Sequence, residues 1–255
     1  MTRRRWIADI ATHTTASLTG DQAIHLARVL RAEPGQIFDI VANGFLHRAE
    51  ILTVSPGHNG EEARVDFTLH GELESDAALP LHLLLAIFKF DHMEWAIEKA
   101  TELGVARITP ILARRTEKHL AQAALKRTDR WRRIALESAK QSRRTDIPEI
   151  ADPITLKQAL EQEKSPTRIL LSETEQTTTL TAALEKSDRP TRYESVAPTL
   201  EITHALAIGP EGGWTPEEIT LFLHHQWQPV TLGPRILRAE TAAIAAIAIA
   251  STHLI

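Results

Sequence analysis

The sequence predicts an α/β protein in which a small N-terminal β domain precedes a larger domain of alternating strands and helices. Short alternating segments and a hairpin signal fill the first 70 or so residues. A polar stretch at residues 71–80 ends in Pro80, and buried apolar runs then alternate with helical patterns. This change of rhythm predicts two domains, at residues 1–74 and 75–255.

The N-terminal domain is predicted to be a small β-barrel or open sheet with one helix. We expect strands at residues 36–41, 47–54 and 63–69. Asn43 and Gly44 predict a tight hairpin turn because both residues tolerate positive φ. A helix is predicted at residues 21–31, with apolar positions at Ile24, Val29 and Leu30.

The C-terminal domain begins with a strand–helix–strand unit. Residues 81–88 form a continuous apolar run, which is typical of a strand buried on both faces. A helix follows, with apolar residues at helical spacing: Met93, Ala96, Ile97, Ala100 and Leu103. Gly104 suits the end of this helix, and residues 105–110 form the next strand. Two strands joined through a helix predict a parallel, right-handed crossover.

Further elements continue this alternation. We expect strands at residues 168–171, 205–208 and 229–232, and a long basic helix at residues 125–143. Another helix is predicted to begin at Thr215, because Pro216 suits its first position and Glu218 completes a capping box. The last helix, at residues 240–253, is apolar on most sides and should be buried, for example in a dimer contact. The Thr-rich segment 174–200 is expected to be partly mobile.

Composition excludes several kinds of chemistry. With no cysteine in 255 residues, disulfides, Cys-based zinc sites, iron–sulfur clusters and a thiol nucleophile are ruled out. The longest apolar stretch, residues 242–250, is too short to span a bilayer, and the N-terminus lacks a signal-peptide pattern. We therefore expect a soluble cytoplasmic protein that is not attached to a membrane.

Charge is unevenly distributed along the chain. The net charge is −4, yet residues 107–144 hold twelve Lys and Arg against three Asp and Glu, a local charge of +9. Such a segment is either an electrostatic footprint for phosphate or a solvated helix face.

Metal and hydrolase chemistry are not supported by the sequence. His224 and His225 are adjacent and point in different directions on a helix, and no His-x-x-x-His pair has acidic neighbours. A Gly-x-Ser-x-Gly elbow is absent as well. We therefore predict no metal site and no Ser–His–Asp hydrolase.

Two loops at the carboxyl ends of predicted parallel strands are candidates for ligand binding. The first is the pentapeptide Gly-Pro-Glu-Gly-Gly at residues 209–213, where three glycines let the backbone approach a ligand closely. No Lys-Ser/Thr pair follows, so this is not a P-loop, and its spacing is not that of a dinucleotide fingerprint. Taken alone, the pentapeptide is also typical of a simple tight turn.

The second loop, residues 232–241, runs from a strand into the last helix. Its charged residues Arg235, Arg238 and Glu240 stand beside an apolar helix, which is costly unless they are paired or functional. One structural explanation is a salt bridge between Arg238 and Glu240 at the start of the helix.

These two loops, in this order and about twenty residues apart, resemble those of the SPOUT superfamily. The resemblance is closest to the RsmE type, the 16S ribosomal RNA (uracil-1498) N3-methyltransferases. Further segments of the chain that resemble this family lie at residues 25–31, 98–105, 137–144 and 147–148, together with Pro110. Ser138 departs from the family, which more often has alanine there, and residues 174–200 show no family pattern.

The resemblance implies a fold, a cofactor and partners. It implies a PUA-like N-terminal β-barrel, a SPOUT α/β domain with a deep C-terminal trefoil knot, and a homodimer. S-adenosylmethionine would be held mainly by backbone groups of three loops. The residues expected to bind it are Leu171, Ser172, Glu173, Ile208, Gly209, Pro210, Glu211, Gly212, Gly213, Leu232, Gly233, Arg235, Ile236, Leu237 and Thr241.

Methylation of uracil N3 requires the N3 proton to be removed or the developing imide anion to be stabilised. Our hypothesis is that Arg238 stabilises negative charge on the uracil oxygens, with Glu240 orienting it or accepting a proton. Glu211 is the rival base, and the sequence does not choose between them.

The expected RNA substrate is 16S ribosomal RNA of the small subunit, with the target uridine exposed or flipped out. Candidate RNA-binding residues are His25, Arg28, Arg31, Gln141, Arg143 and Arg144. Any one of them alone could be an ordinary surface charge. Two other functions remain open: a SPOUT enzyme acting on a different RNA, and a non-catalytic RNA-binding assembly factor.

Overall fold

The computed structural model describes residues 5–57, 61–73, 78–187 and 201–254. The chain divides into two compact units, and the α/β class is confirmed. The N-terminal unit comprises Met1–Ala77 and Ala139–Ile147, and the C-terminal unit comprises Ala78–Ser138 and Pro148–Ile255. The division after Ala77 lies close to the boundary predicted between residues 74 and 75, but the grouping of residues 139–147 with the first unit was not anticipated.

One mixed sheet of six strands forms the N-terminal unit. Its strands are β1 (Arg5–Ile7), β2 (Ile10–Ala11), β3 (Thr15–Thr19), β4 (Ile37–Ala42), β5 (Phe45–Ser55) and β6 (Arg64–Leu73). They pair in the order β1-β4-β5-β6-β3-β2, with β1 parallel to β4 and the other pairs antiparallel. Asn43 and Gly44, at φ 53° and 85°, form the predicted turn between β4 and β5.

The helix predicted at residues 21–31 differs from the observed one. A short α-helix, α1 (Gly20–Ile24), continues as a π-helical turn over His25–Val29. Ala23 and Leu26 are the buried positions of this segment. The apolar positions of the predicted helix are exposed: Ile24, Val29 and Leu30.

The C-terminal unit is built on a fully parallel sheet. Its strands are β7 (Leu79–Ala86), β8 (Val105–Leu112), β9 (Glu149–Ile150), β10 (Ile154–Thr155), β11 (Thr167–Leu171), β12 (His204–Ile208) and β13 (Gln228–Val230). They run in the order β10-β8-β7-β12-β11-β13, and β9 also pairs with β8. Every residue of β7 is buried, as its continuous apolar run predicts.

Helices complete this architecture. They are α2 (Phe90–Glu102), α3 (Lys118–Ser142), α4 (Leu156–Gln162), α5 (Leu180–Leu184), α6 (Pro216–His224) and α7 (Ala239–Leu254). The predicted capping box of α6 is confirmed, because Thr215 and Glu218 each accept a backbone hydrogen bond from the other. The segment 174–200, expected to be partly mobile, contains α5, and its residues 188–200 lie outside the described part of the chain.

Helix α7 lies within the core of the C-terminal unit and packs against α2, β7 and β12. Ala243, Ala246, Ile247 and Ala250 are fully buried, as expected from the apolar composition of the helix. The helix begins directly after the loop that follows β13, and the core therefore fixes the position of that loop. Within the described ranges, no helix has both the length and the apolar character needed to cross a membrane.

Candidate functional site

A cavity of about 990 Å³ lies at the carboxyl ends of four strands of the C-terminal unit: β7, β11, β12 and β13. Three loops form most of its wall. Loop A is residues 172–179 after β11, loop B is residues 209–215 after β12, and loop C is residues 231–238 after β13. Since β11 lies between β12 and β13, the parallel strands deliver all three loops to one edge of the sheet.

Most residues expected to bind the cofactor line this cavity. They are Leu171, Ser172, Glu173, Ile208, Gly209, Pro210, Glu211, Gly213, Leu232, Gly233, Arg235, Ile236 and Leu237. Gly212 does not line it, and its carbonyl instead accepts a hydrogen bond from the guanidinium of Arg115. Thr241 is exposed in the first turn of α7, also outside the cavity wall.

Loop B is both a tight turn and a wall of the cavity. The N–H of Gly213 donates to the carbonyl of Pro210 at 2.8 Å. Gly213 has φ +69°, and a Cβ there would lie 2.6 Å from Oε1 of Glu173. A Cβ on Gly209 would lie 3.1 Å from Nε1 of Trp214. The left-handed φ therefore favours glycine at residue 213, a Cβ there would have to push aside the end of the Glu173 side chain, and the close approach brings loops A and B together.

Loop A is held in shape by one carboxylate. Oε1 of Glu175 accepts hydrogen bonds from the hydroxyl of Thr177 at 2.6 Å, from the N–H of Thr177 at 2.8 Å and from that of Thr178 at 2.9 Å. The side-chain bond from Thr177, followed by these backbone bonds, lowers the pKa of Glu175 to about 2. The carbonyl of Thr178 accepts from the N–H of Thr231 at 2.8 Å, which ties loop A to loop C.

The charged residues of loop C and α7 are arranged differently from the salt bridge considered above. Arg238 is exposed and lines the cavity, whereas Glu240 is 3 % exposed. Within the described residues these two side chains form no ion pair. Instead, Oε1 of Glu240 lies 3.5 Å from Nδ1 of His92, and Oε1 of Glu211 lies 4.0 Å from the same nitrogen.

Sequence reasoning missed several residues of the cavity wall. Lys89 and His92 follow β7, and Trp214 closes loop B. Their signal was available, since Lys89 and His92 stand just beyond the carboxyl end of the most apolar strand, where open α/β sheets bind ligands. Among the described residues, no group of three or more His, Asp or Glu side chains is placed to hold a metal ion.

All the candidate RNA-binding residues belong to the N-terminal unit as the contacts define it: His25, Arg28, Arg31, Gln141, Arg143 and Arg144. Arg31, Gln141 and Arg143 are exposed. His25 is half-buried in the π-helical turn, with its ring centroid 5.6 Å from that of Trp6.

Arg28 and Arg144 are held by identified intramolecular partners. The guanidinium of Arg28 donates to the carbonyls of Pro56 at 2.9 Å and Gly57 at 2.7 Å. Arg144 is buried and forms a salt bridge with Asp146. Replacing either arginine would therefore disturb local structure as well as any RNA contact.

The parallel sheet and the three-loop cavity lie in the part of the chain, residues 75–251, that matches the family model of an RNA methyltransferase domain. The chain is 35% identical to the ribosomal RNA small subunit methyltransferase E of Synechocystis over 92% of this chain and 72% of that protein. It is 30% identical to the Bacillus subtilis protein of the same name, over 91% and 88% of the two chains. The chain therefore belongs to the ribosomal RNA small subunit methyltransferase E family.

A solved structure supports the same assignment. The crystal structure of a ribosomal RNA small subunit methyltransferase E from Neisseria gonorrhoeae, bound to S-adenosylmethionine, aligns with a TM-score of 0.72. The two chains are 26% identical, and the alignment covers 98% of this chain and 97% of the other. The likeness thus extends over both compact units.

Proposed function

We propose that this protein transfers a methyl group from S-adenosylmethionine to N3 of one uridine in 16S ribosomal RNA of the small subunit. The observation that carries the proposal is the convergence of loops A, B and C on one cavity of about 990 Å³. Membership of the family supplies the RNA substrate class, and the S-adenosylmethionine bound to the Neisseria gonorrhoeae relative supplies the cofactor.

The cavity suits S-adenosylmethionine in size and in chemistry. Its volume lies at the upper end of the ~300–1,000 Å³ usual for small-molecule sites. A Cβ on Gly233 would meet no heavy atom of the described chain within 4 Å, so the backbone there is open to a ligand. Leu232 and Leu237 line the cavity with apolar side chains. Trp214 also lines it, and its buried Nε1 lacks a hydrogen-bond partner among the described residues. Leu232, Gly233, Leu237 and Trp214 would thus hold the adenosine portion.

When bound, S-adenosylmethionine supplies a methyl group activated on a sulfonium. Uracil N3 gains that methyl and loses its proton, so the protein must stabilise an imide anion and accept a proton. Arg238 is exposed on the cavity wall and can donate hydrogen bonds to the uracil oxygens. Of the two carboxylates considered for the proton, Glu211 lines the cavity and Glu240 does not, which favours Glu211.

The N-terminal unit is proposed to bind the RNA. Its six-stranded sheet is compatible with a PUA-like β-barrel. Exposed Arg31, Gln141 and Arg143 offer phosphate contacts, and Arg28, Arg144 and His25 would shape the same surface.

The trefoil knot and the homodimer are also proposals. In the sheet, β11 lies between β12 and β13, so the chain returns twice to flank an earlier strand, as a knot of this region requires. On α7, Ile244 is half-buried, and a second copy packed against it would complete its burial.

Reverse transcription across small-subunit RNA tests this function directly, because a methyl group on uracil N3 blocks base pairing and stops the polymerase. RNA from cells that lack the gene should lose one stop, and purified protein with S-adenosylmethionine should restore it. An identical stop pattern with and without the gene would refute the proposed target.

A further inference from the structure

The imidazole of His92 lies among three carboxylates from three separate segments. Nδ1 is 3.5 Å from Oε1 of Glu240 on α7 and 4.0 Å from Oε1 of Glu211 in loop B. Nε2 is 3.8 Å from Oδ2 of Asp91, the neighbouring residue on α2. The cationic side chains that line the same cavity are Lys89, Arg235 and Arg238.

Glu240 requires a cationic partner. Its side chain is buried, and its Oε2 has no hydrogen-bond partner in the described part of the chain. The first turn of α7 favours a negative charge there, but only weakly. A buried carboxylate without a counter-charge is strongly unfavourable, and within the described residues the side chain in ion-pair range of Glu240 is His92, which carries a positive charge when protonated.

We infer that His92 is a positioning residue for methyl transfer, which in its protonated form neutralises Glu240 and leaves Arg238 available to the substrate. This inference rests on the proposed function. Arg238 stands two residues before Glu240 and forms no ion pair within the described chain. When the imidazole is neutral, the negative charge of Glu240 and Glu211 attracts the guanidinium of Arg238. The arginine is then drawn away from the uracil oxygens.

The inference predicts a pH effect that a merely structural histidine would not produce. Histidine can exchange its proton in the neutral pH range, whereas arginine and lysine keep theirs. Activity of the wild type, divided by that of His92→Arg or His92→Lys, should therefore fall as pH rises from about 6 to 9. His92→Gln, which carries no charge, should lower kcat about tenfold at the acidic end with little change in KM for S-adenosylmethionine.

The experiment measures methyl transfer to small-subunit RNA across this pH range for the wild type, His92→Gln, His92→Arg and His92→Lys. His224→Gln is the matched control, because His224 is exposed on α6 and does not line the cavity. Its profile should follow the wild type. A pH-independent ratio between the wild type and both cationic variants would overturn the inference, as would full activity of His92→Gln.

A second readout does not depend on activity. A double-mutant cycle compares the unfolding equilibrium constants of His92→Gln, Glu240→Gln and the double variant. If the two side chains interact, the fold-change of the double variant should be smaller than the product of the two single fold-changes, by at least about threefold. Independent effects would overturn the pairing. If the wild type transfers no methyl to RNA, the proposed function fails, and the cycle still decides whether His92 and Glu240 are coupled.

Discussion

Glu173 in loop A and Gly213 in loop B approach each other so closely that the glycine cannot be replaced without moving the carboxylate. Oε1 of Glu173 lies 2.6 Å from the point where Gly213 would carry a Cβ, and Gly213 has φ +69°. Both residues line the cavity. The packing of one loop on the other therefore sets the shape of the proposed cofactor site.

Gly213→Ala should weaken S-adenosylmethionine binding at least about tenfold, which corresponds to ~1.4 kcal/mol. Alanine at this φ is strained by ~1 kcal/mol, and its Cβ must displace Glu173. Calorimetric titration measures the change. Gly71→Ala is the matched control, because a Cβ there meets no described heavy atom within 4 Å and its φ is not left-handed. Equal affinity of the two variants would contradict the role assigned to this contact.

Loops B and C could be predicted from the sequence because their signals are local. Glycines at residues 209–213 mark a loop that needs close backbone approach, and the buried strands on either side place it at a sheet edge. That Gly212 and Thr241 lie outside the cavity wall could not be predicted in this way. Whether a loop residue faces the cavity or turns toward Arg115 depends on contacts between segments distant in sequence.

Arg238→Ala should reduce kcat about 10²–10³-fold while leaving the affinity for S-adenosylmethionine nearly unchanged, because one electrostatic donor to the developing anion is lost. Arg238→Lys should recover little of this activity, since lysine cannot present the planar guanidinium fork. Single-turnover methyl transfer and calorimetry separate the two effects. Lys157→Ala, an exposed variant on α4 that does not line the cavity, should behave as the wild type. Wild-type turnover by Arg238→Ala would exclude the assignment.

The pairing of Glu240 was beyond sequence reasoning. Arg238 and Glu240 are two residues apart, which suggested a local salt bridge, yet Glu240 faces His92 from a different helix. The course of the helical segment in the first unit was also beyond sequence reasoning. A π-helical turn over His25–Val29 shifts the periodicity by one residue per turn, and the 3.6-residue pattern does not reveal it.

Removing an arginine proposed to bind RNA should weaken binding and make it less sensitive to salt. Arg31→Gln and Arg143→Gln, both at exposed residues, should each reduce the slope of log K against log[salt] by about 1. Fluorescence anisotropy with small-subunit RNA at several salt concentrations gives the slope. Arg48→Gln, an exposed residue of β5 outside the candidate set, is the matched control. If all three variants keep the slope of the wild type, Arg31 and Arg143 do not contact phosphate.

Arg144→Ala should act differently from these surface variants. Arg144 is buried and paired with Asp146, so its loss leaves a carboxylate without its partner and lowers the free energy of unfolding. Urea denaturation should show a loss of at least ~1 kcal/mol, whereas Arg48→Gln, at an exposed residue of β5, should change stability by less than ~0.5 kcal/mol. Equal stability of the two variants would show that the Arg144–Asp146 pair contributes nothing to the fold.

Acid should destabilise the C-terminal unit through Glu163. Its burial raises the pKa, but hydrogen bonds from His82 and Ser165 outweigh this effect and lower the pKa from 4.5 to about 2. Because the pKa is lower in the folded state than in the unfolded state, ionised Glu163 stabilises the folded protein. This stabilisation is complete above pH ~4.5 and is lost as pH falls toward 2. Glu163→Gln should be less stable than the wild type at pH 7, and the difference should shrink as pH falls from 4.5 toward 2. Urea denaturation at several pH values measures it, with Glu161→Gln on the exposed side of α4 as the control. A difference that stays constant with pH would show that Glu163 has an ordinary pKa in the folded protein.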